Sequence, residues 1–161
     1  MSNRQQDLFN AVKAGFATIV SSPAPGNPSY SSNVGQKIFE WQLTPIDAEN
    51  DASLLPCTCL SDPREINEGP GQGVNENSSM RLFGQEFEAA LLLAETDQTA
   101  DKARQAKTDA IAMIGKDPTW GGLAKRTEPG DVQFLSQKEG NRITGVLMKF
   151  TVKYVRRTWE S

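Results

Sequence analysis

The segment ITGVLMKFTVKYVRR, residues 143–157, constrains the fold more than any other stretch of the chain. Val146, Met148, Phe150, Val152 and Tyr154 alternate with Lys149, Thr151 and Lys153. Successive side chains on a strand point to opposite faces, so this period of two places one face in a core and the other in water. Such a strand needs neighbours in a sheet and a second layer over its apolar face. MRLFGQEFEAALLLAE, residues 80–95, has the same character. There Phe83, Phe87, Ala89, Leu91 and Leu93 share the core-facing parity, and Met80 and Leu82 share the other. Glu86 and Glu88 also lie on one face; with no third polar group nearby in the sequence, they read as a solvated strand face rather than an acid–base pair.

Two helices can supply the second layer. Over residues 3–20, Leu8, Phe9, Val12, Phe16 and Ile19 recur at spacings of three and four, with Ser2 or Asn3 as cap and SSPAP as stop. Over residues 99–114, Ala103, Ala106, Ala110, Ile111 and Ile114 form a slim stripe suited to close approach to a sheet. Asp97 or Thr99 can cap this helix, and Gly115 followed by Pro118 can end it.

The remaining strands are shorter. QKIFEWQL, residues 36–43, sets Ile38 opposite Phe39 and Trp41. LLPCTCLS, residues 54–61, has Pro56 at its start or on a sheet edge. Val132 to Gln137, the turn KEGN and Ile143 to Arg157 read as a hairpin. A Pro/Gly/Ser-rich connector fills residues 21–33, and polar loops fill 44–53 and 62–79. The loop at 62–79 contains Gly69, Gly71 and Gly73 but neither GxxxxGK[ST] nor GxGxxG, so it reads as a hairpin or arm that reaches a partner, with plain disorder as the alternative, and not as a phosphate loop.

The order gives an α+β fold: a two-layer sandwich with a largely antiparallel sheet of about four or five strands and two main helices packed on one face. At 161 residues it is one domain, residues 1–161, able to bury roughly 70% of its extended-chain surface.

Composition narrows the function. The chain has no histidine, which removes Ser–His and Cys–His nucleophile pairs and most zinc and iron sites. Cys57 and Cys59 share one strand face in an apolar stretch and read as buried thiols; CxC alone is a poor metal or redox motif. No catalytic, cofactor-binding or metal-binding set can be assembled. A net charge of −3 argues against nonspecific nucleic-acid binding. No apolar run approaches the ~18 residues of a membrane span. The N-terminus, MSNRQQDLFNAVKAGF, lacks the h-region and cleavage site of a signal peptide, so a cytoplasmic site of synthesis and assembly is expected.

KDPTWGGLAKRT, residues 116–127, joins the second helix to the hairpin. Gly121 and Gly122 fit a sharp reversal with positive φ or close approach, begun by Asp117-Pro118. Trp120 and Leu123 are expected to pack across the end of the sheet, with a subunit contact by Trp120 as the alternative. Lys125 and Arg126 read first as solvated or salt-bridged side chains.

The Ala-rich helix, DPTWGGLAKRTEPGDVQF and EGNRITGVLMKFTVKYVRR resemble the tail terminator (tail completion) proteins of long-tailed bacteriophages. The N-terminal helix, the KIFEW strand, LLPCTCL, the long loop and RLFGQEFEAAL follow in the same order, so the resemblance spans nearly the whole chain. It implies a structural protein without cofactor or catalysis. Such a protein forms a six-fold ring on the tail tube, stops tube polymerisation and offers a surface to the head–tail connector or neck protein. Genome DNA would pass through the lumen without specific binding, and the location would be the tail–neck junction of the virion, with no membrane. The connector at 21–33 and the loop at 62–79 are longer and more polar than that pattern. Candidate subunit or tube contacts are Arg64, Glu65, Ile66, Asn67, Val74 and Asn75 in the loop, with Trp120, Lys125 and Arg126 beyond the second helix. The alternatives are a neck or head-completion protein and, more distantly, a small intracellular enzyme or ligand-binding module.

Overall fold

The computed structural model describes residues 3–41, 54–69, 80–94, 99–135 and 143–157. Among these, the elements run α1 (Arg4–Ala17), β1 (Ile38–Glu40), β2 (Cys57–Asn67), β3 (Met80–Ala94), α2 (Thr99–Lys116), β4 (Arg126–Leu135) and β5 (Ile143–Arg157). They form one five-stranded sheet in the order β1-β2-β3-β5-β4. β1 runs parallel to β2, and every other pair is antiparallel. The α+β architecture with a mostly antiparallel sheet is therefore as expected.

Asn3 starts α1 by accepting the Gln6 N–H at 3.1 Å. Thr18 ends it, its N–H and hydroxyl both turned back to the Gly15 carbonyl. The face predicted from spacing is the buried one: Leu8, Phe9, Val12, Phe16 and Ile19 are all 4% exposed or less. It packs on one sheet face with Phe83, Phe87, Leu91, Val146, Phe150 and Val152. The Phe87 and Phe150 rings, cross-strand partners in register, stack 5.3 Å apart at 4°. Phe9 lies against Phe87 and Phe16 against Phe150. Aromatic pairs of this kind add about 0.5–1.5 kcal/mol each beyond burial, so this cluster fastens α1 to the two central strands.

On α2 the buried stripe is Ala103, Ala106, Ala110 and Met113. Ile111, expected in that stripe, is 51% exposed, because it lies one position, and so about 100°, around the helix from Ala110. The helix also runs through Gly115 to Lys116 instead of ending there. The connector forms no regular element, and the Asp109 carboxylate ties its end to α2. That carboxylate accepts the Ser32 N–H and hydroxyl at 2.8 and 2.7 Å and the Ser31 N–H at 3.3 Å.

Two strands are longer than the sequence pattern suggests. β2 starts after Pro56, as expected, but continues to Asn67, so residues 62–67 belong to the sheet and not to a loop. A register shift between Ser61 and Arg64 makes this possible. Pro63 falls inside the irregularity, where its missing N–H removes no ladder bond. β4 likewise begins at Arg126, not Val132, and a shift between Pro129 and Val132 absorbs its proline and glycine. β1 is only three residues long; Trp41 follows it at φ 58°, its N–H still bonding the Leu60 carbonyl at 2.9 Å, and residues 42–43 lie outside the described residues. The KEGN turn, the loop at 44–53, Asp97 and residues 70–79 lie outside the described residues.

The face opposite the helices has two parts. Cys57, Cys59, Ala90 and Leu92 form a second buried cluster, with both cysteines free. Toward the other end the face is charged. Arg64 holds Glu86 through two bonds of 3.0 and 2.8 Å, and Lys149 lies 3.8 Å from Glu88. Lys153 pairs with Glu68 and, at 3.6 Å, with Glu128. The two glutamates that share a face are thus partners of cations.

Candidate interaction surfaces

The turn after α2 is built by Asp117. Its carboxylate accepts the Thr119 hydroxyl at 2.8 Å and the Gly121 N–H at 2.7 Å. These bonds, the Thr119 hydroxyl first, hold its carboxyl below the usual range. Gly121 and Gly122 adopt φ of 71° and 85°, the positive values expected of a sharp reversal. Trp120, at φ 53° and 6% exposed, points inward. Its indole N–H donates to the Thr127 hydroxyl at 2.8 Å, and its ring stacks near Phe150. The side chain thus packs across the sheet end, as expected.

The other candidate residues fall at one end of the sheet. Ile66, Gly84, Lys153 and Arg126 stand in one cross-strand row through β2, β3, β5 and β4. Arg64 and Asn67 are exposed beside it, while Glu65 and Ile66 are half-buried. Glu65 accepts from Tyr154 and Arg156. Lys125 is exposed, and its N–H bonds the Lys153 carbonyl at 2.7 Å. Arg126 is exposed and pairs with Glu128 at 2.9 Å. Val74 and Asn75 lie outside the described residues.

Two further surfaces were not marked by the sequence. They occupy opposite edges of the sheet. Just past β1, Trp41 is 61% exposed beside a cleft of about 160 Å³ lined by Gln5, Gln6, Phe9, Glu40 and Asp62, among others. Asp62 sits in the β2 irregularity, 9% exposed, beside Gln5 and Trp41 in that cleft. Burial pushes that carboxyl above the usual range. On β4, Phe134 is 47% exposed, with the Lys107 ammonium of α2 5.8 Å from its ring centre. Ile111 follows Lys107 by one helical turn. Spacing could not show that Phe134 sits on an edge, because edge position depends on strand order.

No protein-family model matches the chain, and no curated protein matches it. Among the described residues no helix is long and apolar enough to cross a membrane.

Proposed function

We propose that the chain is a phage tail terminator: a structural protein that closes into a ring on the end of the tail tube, stops tube growth and presents a joining surface to the head connector. A ring requires one heterologous contact repeated until rotation closes it, and so two unlike patches on each subunit. The observation that carries the reading is the sheet whose two edges, unpaired among the described residues, differ, one ending in Trp41 and the other carrying Phe134. Both edges resist indiscriminate pairing. β1 is too short to template a long ladder, and β4 carries Pro129 and a register shift at its centre. A cap needs this property, since it must bind the tube end and leave the next tube subunit nothing equivalent to bind.

The charged end of the sheet supports an axial contact. Arg64, Asn67, Lys125 and Arg126 lie there beside the Lys153 ion pairs, and in this reading that end faces tube or head. The opposed charges on this face also suit a lumen through which DNA slides, because net cationic surface is what grips phosphate. The test is to add the protein to polymerising tail-tube subunits and image the products. Shortened tubes bearing a ring at one tip are expected; an unaltered length distribution with bare tips would overturn the reading.

A further inference from the structure

We infer that the lateral contact between copies seats the Phe134–Lys107 edge of one subunit in the Trp41–Asp62 cleft of the next. This rests on the ring reading and names the surface that builds the ring. The two patches lie on opposite edges, four strand spacings or roughly 19 Å apart, so one chain cannot bring its own pair together. Both lie on the helical side of the sheet. Phe134 sits under Lys107 of α2, and the cleft is lined by Gln5, Gln6 and Phe9 of α1.

Their charges are complementary. Among the described residues Asp62 forms no ion pair, and it shares the cleft with Gln5 and Trp41. Glu40 adds a second carboxylate to the cleft, paired to Lys13 at 2.6 Å. On the other edge, among the described residues, the Lys107 ammonium lies over the Phe134 ring and forms no ion pair. An ammonium placed between a tryptophan face and a carboxylate gains both cation–π and ionic attraction. Two clefts facing each other would set carboxylate against carboxylate, and two Phe134 edges would set ammonium against ammonium. The contact is therefore head-to-tail, as a ring requires. Trp41 supports the same conclusion. A non-glycine residue at φ 58° is a strained conformation, and here it holds a large aromatic out in water, where burial by a partner would be favourable.

The test uses Trp41→Ala, Phe134→Ala and Lys107→Glu, each at an exposed or half-buried position, with melting temperature as the check on folding. By sedimentation of the full chain over a concentration series, each variant is expected to lose roughly tenfold or more in self-association, the effect of removing one interface anchor. Mixing Trp41→Ala with Phe134→Ala supplies one intact edge from each chain, so the mixture is expected to stop at a heterodimer. Wild-type chain that stays monomeric throughout the series, folded variants that associate like wild type, or a mixture that forms no heterodimer would each overturn the proposal. The tube assay reads the terminator function separately. Wild-type arrest of tubes with unaffected variants would sink this interface alone, whereas the expected variant losses without arrest would sink the terminator reading alone.

Discussion

The side-chain amide of Gln85 donates to the Asp62 carbonyl at 3.1 Å, and the same nitrogen lies 3.1 Å from the Arg64 carbonyl. Gln85 is 1% exposed, and its own carbonyl oxygen accepts from Gln5 of α1 at 3.2 Å. One buried amide therefore bonds two β2 carbonyls at the irregularity and ties helix to sheet. Gln85→Leu keeps the bulk and removes the donor. It is expected to cost about 1–3 kcal/mol, the penalty for stranding buried acceptors, measured as a lower urea midpoint with unchanged slope.

Asp109 does for the connector what Gln85 does for the bulge. Asp109→Ala leaves the Ser32 N–H and hydroxyl of the connector without their acceptor on α2. A loss of about 2 kcal/mol is expected. Limited proteolysis should then cut first within residues 21–33, whereas Asp109→Asn, which keeps an acceptor, should lose less.

Gly145 stands opposite Leu92 where β5 pairs with β3. A Cβ there would lie 1.9 Å from the Leu91 carbonyl oxygen, and backbone cannot step aside as a side chain can. Gly145→Ala is expected to destabilise by about 3 kcal/mol, at the upper end for overpacking, in the same urea titration. Gly115, with open space around its Cβ, is the control, and Gly115→Ala should be neutral or stabilising.

Much of this was legible in the sequence, and the reason is local. The α1 stripe, the β3 and β5 alternation and the Gly121–Gly122 reversal each follow from spacing or from the conformational freedom of one residue. Residues 62–67 and 126–131 were illegible as strand because Pro63, Pro129 and Gly130 signal loops, and only the register shifts seen in three dimensions accommodate them. Ile111 was misplaced because a narrow alanine stripe admits Met113 and leaves the next face to solvent. The Trp41 and Phe134 edges depend on strand order, which no window of sequence contains.

Asp62 and Glu86 should pull stability in opposite directions with pH. The Asp62 carboxyl is raised by burial, with Glu40 adding to the rise and Gln5 and Trp41 opposing it. An acid raised in the fold stabilises below its unfolded pKa, and that contribution is lost as pH rises through the folded value. Asp62→Asn is therefore expected to melt higher than wild type at neutral pH, with the gap closing in acid. The Glu86 carboxyl is lowered, first by its bond with Arg64. Its contribution is present above the unfolded pKa and lost as pH falls through the folded one. Arg64→Ala should therefore lower the melting temperature at neutral pH, and only slightly for so exposed a pair, and not in strong acid.

The central claim is that this chain acts by capping, and a dose–response on tube growth tests it most directly. Tail-tube subunits polymerise with increasing amounts of the protein, and tube length is measured against the ratio of the two. A cap acts at tube ends, so arrest is expected at a ratio far below one copy per tube subunit, with ring density on one tip of each arrested tube. Tubes that keep growing at every ratio, or that shorten only when the protein matches the subunits in number, would contradict it.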